Sequence, residues 1–158
     1  MSALSAGRRR GAGGVQAKEG AGMRFLVVDD DFQARSLIQR LLHPYGVAEV
    51  ATDGEEAVEA FRFAHKQGEP YDLITLDILM PNIDGQEALR EIREIEKELD
   101  IPEDKAVKVI MVSGLDDAKE VHDAFFLGSA TSYMVKPIHN QSFFEEITSL
   151  GLVLEKTH

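Results

Sequence analysis

Short apolar runs rich in β-branched residues recur along the chain after its first 22 residues. Several of them, including residues 25–28 and 73–76, are apolar at consecutive positions instead of alternating ones. Consecutive apolar positions are typical of strands that are buried on both faces of a sheet. We therefore predict strands at residues 25–28, 47–52, 73–76, 107–112 and 133–135.

Helical stripes of apolar residues lie between these runs and after the last one. Within each stripe the apolar residues are spaced three or four apart, which places them on one face of a helix. The fourth stripe stops at Gly128 and the fifth at Gly151. In chain order, the stripes contain Leu37, Ile38, Leu41 and Leu42; Ala57, Phe61 and Ala64; Ala88, Ile92, Ile95 and Leu99; Val121, Ala124 and Phe125; and Phe143, Ile147 and Leu150.

The alternation of strands and helices predicts an α/β fold. Strands that alternate with helices form a parallel sheet covered on both faces, and right-handed crossovers make such a sheet doubly wound. We predict one sheet of five parallel strands with five helices. Sheets of this kind hold their chemistry at the carboxyl ends of the strands, near the point where strand order reverses.

Polar residues stand at all five predicted strand ends, but the second end, Asp53 before Gly54, is typical of a turn and a helix cap. The first strand runs into three aspartates at positions 29–31, the third ends on Asp77, the fourth on Ser113, and the fifth on Lys136. Neighbouring carboxylates repel one another, so we expect positive charge close to them. If the strand ends meet at one edge of the sheet, Lys136 supplies part of that charge.

These residue types predict a site for phosphoryl transfer. Carboxylates without cysteine or histidine suit Mg²⁺, which binds carboxylates, water and phosphate oxygens. A carboxylate can attack phosphorus to form an aspartyl phosphate. Asp77 is the central residue of the predicted strand-end group, so we expect it to be the phosphoryl acceptor. Lys136 and the Ser113 hydroxyl would then contact the phosphoryl oxygens. Asp31 could be a further ligand, but its position favours the start of a helix.

Composition excludes several classes of partner. The chain has 158 residues, a formal net charge of −11 and no cysteine. The negative charge disfavours nucleic acid and anionic membranes as partners, and no apolar run approaches the roughly 18 residues of a membrane helix. The absence of cysteine fits a reducing compartment, so we expect a cytoplasmic protein without membrane insertion. The histidines show no ligand spacing.

Taken in order, these motifs resemble the receiver domain of bacterial response regulators, the phosphorylated partners of histidine kinases in two-component signalling. The resemblance runs from Met23 to about Leu150 and is to the chemotaxis-type, stand-alone regulators. It places the acidic pair on Asp29 and Asp30, the phosphoacceptor on Asp77 within DILMPNIDG, the hydroxyl residue on Ser113, the switch aromatic on Tyr133, and the Lys-Pro pair on Lys136 and Pro137.

The resemblance also implies details that the residues alone do not give. It implies the flavodoxin-like strand order 2-1-3-4-5. It implies Mg²⁺ ligation by Asp30, Asp77 and the backbone carbonyl of Leu79, with Asp29 acting mostly through water. It further implies a cis peptide bond between Lys136 and Pro137, which proline makes less costly.

A phosphorylation-dependent signalling switch is the function that the resemblance implies. The phosphoryl donor would be a sensor histidine kinase or a His phosphotransfer protein. Ser113 would turn toward the phosphoryl group and Tyr133 would occupy the space that it leaves, although Tyr133 could also be a core residue. The face formed by the fourth helix, fifth strand and fifth helix would then bind an unknown downstream protein. A relay intermediate that passes the phosphoryl group onward is the alternative.

We divide the chain into a disordered extension over residues 1–22, a receiver domain over residues 23–152 and a short tail over residues 153–158. The extension contains three consecutive arginines and could instead be a basic docking arm. Too few residues follow the domain for an output domain, so a stand-alone receiver is expected. The acidic stretch over residues 91–100 is interpreted as a solvated helix face. The loop that follows, around residues 101–105, is interpreted as a small insertion.

Two other classes of protein share parts of this pattern. An aspartate-nucleophile phosphatase of the haloacid-dehalogenase type needs D-x-D on its nucleophile strand, whereas Asp77 is followed by Ile78 and Leu79. A nucleotide- or flavin-binding module would need a glycine-rich phosphate loop after a strand, and none is present. Leu79 and Leu115 are bulky where fast-hydrolysing receivers often carry polar residues, which predicts slow self-dephosphorylation.

Overall fold

The computed structural model describes residues 22–80, 82–114 and 130–157. Within them, five strands form one parallel sheet in the order β2-β1-β3-β4-β5. The strands are β1 (Met23–Val28), β2 (Gly46–Ala51), β3 (Leu73–Asp77), β4 (Lys108–Ser113) and β5 (Ser132–Val135), and the described α-helices are α1 (Phe32–Leu42), α2 (Gly54–Lys66), α3 (Gly85–Glu98) and α4 (Asn140–Ser149).

The predicted parallel sheet and its strand order are confirmed. Four of the five predicted helices are present among the described residues. The predicted fourth helix, with Val121, Ala124 and Phe125, lies outside the described residues, as does nearly all of the predicted extension over residues 1–22. The fifth predicted stripe is therefore α4. No helix in the described part of the chain is both long and apolar enough to span a bilayer.

The core lies in two layers, one on each face of the sheet. Successive residues of a strand point to opposite faces, so Leu26 and Val28 pack on one side and Phe25 and Val27 on the other. The first layer is closed by α2 and α3, and the second by α1 and α4. Burial on both faces explains why the strand sequences are apolar at consecutive positions.

Three helices begin with an aspartate cap at the edge of the sheet where the strands end. The side chains of Asp31, Asp53 and Asp84 accept hydrogen bonds from backbone N–H groups in the first turns of α1, α2 and α3, respectively. Such caps satisfy donors that a helix leaves without partners and each contributes about 1 kcal/mol. The interpretation of Asp31 as the start of a helix is confirmed.

Glycine at position 85 lets α3 begin directly beside the end of β3. Its N–H donates to the Ile78 carbonyl at 2.8 Å. A Cβ atom at this position would lie 2.2 Å from the backbone oxygen of Asp77, which is far inside contact distance. Any side chain here would push the end of β3 away from its place, so the position of Asp77 depends on this glycine.

The last described residues pack against the domain. Leu152 and Leu154 contact the core layer under α1 and α4, and the Thr157 N–H donates to the Pro44 carbonyl at 2.8 Å. Packed residues therefore lie on both sides of the predicted domain boundary at residue 152.

A buried glutamate fastens the loop between α3 and β4. Glu96 is only 5% exposed, and its carboxylate accepts bonds from the Val107 N–H and the Arg93 guanidinium, both at 2.7 Å. The interpretation of residues 91–100 as a solvated face is thus wrong at Glu96. The sequence hides this role because the partner N–H is a backbone group 11 residues away.

We expect Glu96→Ala to lower the free energy of unfolding by about 2 kcal/mol, because it leaves the buried Val107 N–H without its acceptor. Urea denaturation measures the change. Glu94→Ala, at an exposed position of the same helix, is the matched control and should change stability by less than about 0.5 kcal/mol. Equal effects of the two substitutions would contradict the role given to Glu96.

Candidate functional site

The polar strand ends meet at one edge of the sheet. Asp29 directly follows β1, and its N–H donates to the Ala51 carbonyl at 3.2 Å. Asp77 is the last residue of β3, the neighbour of β1, and it pairs in register with Val112 of β4. Lys136 directly follows β5, and its N–H donates to the Ser113 carbonyl at 2.7 Å. Parallel pairing thus brings together residues that are more than 100 positions apart in the chain.

Three carboxylates form a cluster at this edge. One oxygen from each of Asp29, Asp30 and Asp77 lies within 4.8 Å of the others. Asp29 and Asp77 are buried, whereas Asp30 is exposed to solvent. The second oxygen of Asp29, Oδ1, accepts a hydrogen bond from the Asp31 N–H at 2.9 Å. The cluster is therefore open on the side of Asp30.

The ammonium group of Lys136 lies against the two buried carboxylates. Its Nζ is 3.1 Å from Asp29 Oδ2 and 3.6 Å from Asp77 Oδ1. When all three acids of the cluster are ionised, one lysine leaves an excess of two negative charges. Oxygen ligands and this excess charge both suit a divalent cation such as Mg²⁺, so the donor set fits the metal that the sequence predicts.

Burial and neighbouring charge perturb the acid–base properties of this cluster. The pKa of Asp77 is raised to about 7, first by burial and then by the negative charge of Asp29, while Lys136 opposes the shift. Burial disfavours the charged form of Lys136, but the carboxylates of Asp29 and Asp77 outweigh it, and the pKa of this lysine is raised. A cation at the cluster would oppose the rise at Asp77 because it favours the carboxylate.

The Ser113 hydroxyl is buried at the end of β4. Its oxygen has no hydrogen-bond partner among the described residues, as is also true of Thr75 on β3. A buried hydroxyl without a partner costs free energy. Ser113 would therefore gain from an acceptor oxygen that arrives at this edge of the sheet.

The structure also describes three other features that the sequence predicts for the site, namely Tyr133, Leu79 and the Lys136–Pro137 bond. Tyr133 is 48% exposed, so the alternative in which it is a core residue is wrong. Leu79, two residues after Asp77, is 52% exposed. The Lys136–Pro137 peptide bond is cis. Leu115 lies outside the described residues.

Arg35 supports the site in a way that the sequence did not reveal. Its guanidinium Nη1 donates to the backbone carbonyl of Asp29 at 2.8 Å. The same guanidinium lies over the ring of Phe32, 5.5 Å from its centroid. Arg35 stands one helical turn beyond the cap residue Asp31, and this spacing is the signal from which a contact with the strand end could have been predicted.

We expect Asp77→Asn to stabilise the metal-free protein increasingly as pH rises. The pKa of Asp77 is about 7 in the folded protein against an ordinary value of 3.8. Between these values the folded protein holds a proton that the unfolded chain has released, so wild-type stability falls as pH rises toward about 7 and then levels off. The amide of asparagine does not ionise, so the variant does not lose stability in this way as pH rises.

At pH 8 the free energy of unfolding of Asp77→Asn should exceed that of the wild type by about 2 kcal/mol, a value that discounts the full pKa shift for screening by water. Less than about half of it should remain at pH 5. Urea denaturation in EDTA measures both values. Asp84→Asn, which replaces one capping residue by another at an exposed position, is the control. A gain independent of pH would contradict the raised pKa.

Comparison with known proteins places these features in a family. The model of the response regulator receiver domain matches residues 25–148. The chemotaxis protein CheY of Treponema pallidum is 38% identical over 137 residues, which cover 85% of this chain and 87% of that protein. A probable transcriptional regulator, ycf27 of Cyanophora paradoxa, is 35% identical over 128 residues, and the chain spans 47% of its length.

A solved structure agrees with these matches. The CheX–CheY–BeF3–Mg²⁺ complex from Borrelia burgdorferi contains a chain that aligns with a TM-score of 0.71 and 27% identity. The alignment covers 89% of this chain and 97% of that one. With the sheet order, the strand-end cluster and the family match in agreement, this chain belongs to the response regulator receiver domain family.

Proposed function

We propose that this protein is a phosphorylation-dependent signalling switch that accepts a phosphoryl group on Asp77 from a histidine kinase or a His phosphotransfer protein. The observation that supports this proposal most directly is the position of the Asp77 carboxylate at the end of a central strand, 3.6 Å from the Lys136 ammonium. The excess negative charge beside it supports a cation that balances both the cluster and the incoming phosphoryl oxygens.

In the proposed transfer, an oxygen of the ionised Asp77 side chain attacks the phosphorus of a phosphohistidine. A P–O bond forms and the P–N bond breaks. The electron pair of that bond returns to the imidazole nitrogen, which remains on the donor protein. Lys136 stays protonated through this step because its pKa is raised, and its charge stabilises the phosphoryl oxygens.

The residues that would hold Mg²⁺ are Asp30, Asp77 and the backbone carbonyl of Leu79, with Asp29 acting through water. When bound, the ion supplies charge neutralisation for the phosphoryl oxygens. Asp29 keeps its ion pair with Lys136 at 3.1 Å in this proposal and thereby holds the ammonium over the site. Asp30, as the exposed acid, faces the solvent from which the ion arrives.

In the proposed switch, phosphorylation causes a conformational change that begins at the Ser113 hydroxyl and reaches the edge strand β5. Ser113 would donate to a phosphoryl oxygen, which gives its buried hydroxyl the partner that it lacks. Tyr133 lies on the neighbouring edge strand β5. Its side chain would then move into the space that the Ser113 side chain leaves. Ser132 donates a hydrogen bond to Glu146, so β5 and α4 are joined. The face around β5 and α4 would then bind a downstream protein, or the phosphoryl group would pass onward in a relay.

We expect the wild-type protein, incubated with Mg²⁺ and a small acyl phosphate, to gain one phosphoryl group in its intact mass. Asp77→Asn should gain none, because an amide oxygen is a poor nucleophile toward phosphorus. Asp84→Asn removes a carboxylate from the same loop but outside the cluster and should be modified like the wild type. An equal adduct on Asp77→Asn would reject the assignment of the acceptor.

We also expect Leu79→Asn combined with Leu115→Glu to raise the rate at which the phosphorylated protein hydrolyses by roughly tenfold or more. Polar side chains at these positions would orient a water that bulky apolar ones keep away. Loss of radiolabelled phosphate over time measures the rate. Leu99→Asn, at a comparably exposed leucine of 48% exposure at the end of α3, is the control. If the double variant hydrolyses its phosphoryl group at the wild-type rate, the hypothesis that Leu79 and Leu115 slow hydrolysis is wrong.

A further inference from the structure

We propose that Asp53 and Asn82 form a positioning pair that holds the β3–α3 loop in the shape needed to bind the cation. Neither residue belongs to the acidic cluster, and neither touches the reacting atoms. The inference rests on the proposed function, because it assigns a role toward the Mg²⁺ of that site. It concerns the loop between β3 and α3, which carries the Leu79 carbonyl and of which residues 78–80 and 82–84 are described.

The base of this loop is closed by its own backbone. The Ile78 N–H donates to the Val112 carbonyl at 3.1 Å, and the Ile78 carbonyl accepts from the Gly85 N–H at 2.8 Å. These two bonds fix where the loop leaves β3 and where it enters α3. They do not reach the outer part of the loop, in which Leu79 is exposed.

The outer part of the loop is held by Asp53, the residue that caps α2. Asn82 Nδ2 donates to Asp53 Oδ2 at 3.0 Å. The other oxygen of this carboxylate, Oδ1, accepts from the Glu56 N–H at 2.8 Å and caps α2. One side chain therefore joins the loop to the helix cap, and both of its oxygens have a partner.

The backbone of the loop supports the same attachment. Asn82 has a φ of 66°, a left-handed conformation that asparagine adopts more readily than most residues. The next residue, Ile83, packs against the core layer under α2 and α3. A Cβ atom at Gly54 would lie 2.5 Å from the Ile83 carbonyl oxygen, so only glycine lets the loop and α2 approach this closely.

This attachment limits the directions available to the Leu79 carbonyl, which lies between the closed base and Asn82. A ligand held in its bound orientation loses less conformational entropy when the cation arrives. A single solvent-exposed hydrogen bond contributes little to global stability. Loss of the pair should therefore weaken Mg²⁺ binding more clearly than it weakens the fold.

Two variants break the bond from opposite sides. Asn82→Gly removes the amide while it keeps the left-handed backbone accessible. Asp53→Ser keeps a helix cap but lacks the second oxygen that Asn82 uses. Asp53→Asn is the conservative variant, because its amide can cap α2 and still pair with Asn82 after that side chain turns over.

Mg²⁺ affinity, followed by NMR titration of the full-length protein, is the readout. We expect Asn82→Gly and Asp53→Ser each to raise the Kd about fivefold, and the double variant to raise it no further, because both remove the same contact. Asp53→Asn should restore most of the affinity. The Tm in EDTA should be almost equal in all variants.

Three results would overturn the inference, and they separate it from the proposed function. If the wild type binds Mg²⁺ and the two variants bind equally well, the pair has no positioning role and the proposed function stands. If the losses in the two variants add in the double variant, the residues do not act through their mutual contact. If the wild type shows no Mg²⁺ binding, both the inference and the proposed metal site are wrong.

Discussion

The ion pairs of Lys136 with Asp29 and Asp77 are the interaction on which the rest of the site depends. Burying a carboxylate without a partner costs several kcal/mol, and here two are buried side by side. The lysine at 3.1 and 3.6 Å offsets part of this cost. The Lys136 side chain also links the residue after β5 to the carboxylates at the ends of β1 and β3.

That compensation is incomplete, and the proposed function relies on the negative charge that remains. One ammonium facing three carboxylates leaves negative charge that a divalent cation can balance. The same burial raises the pKa of Asp77 to about 7, so the metal-free site gives up stability when this acid ionises. In the proposed function, the two oxygens of the Asp77 carboxylate provide the nucleophile and a metal ligand in one side chain.

The surroundings of the cluster are held by backbone geometry more than by further charges. Gly85 allows α3 to start against the carbonyl of Asp77, and Arg35 holds the carbonyl of Asp29. Asp53 and Asn82 fasten the outer loop. Together they hold the backbone at the ends of β1 and β3 and the outer part of the loop that follows β3.

The sequence by itself determined the sheet, its strands and the residues at the strand ends, because apolar periodicity and polar strand termini are local patterns. It also gave the cap at Asp31. It misjudged Glu96 and did not reveal the role of Arg35, because each contacts a backbone group that no side-chain pattern records. The raised pKa of Asp77, the bond between Asp53 and Asn82, and the exposure of Tyr133 were decided only by tertiary structure. Each depends on the burial or the distance of groups that are far apart in the chain, and packing alone sets those.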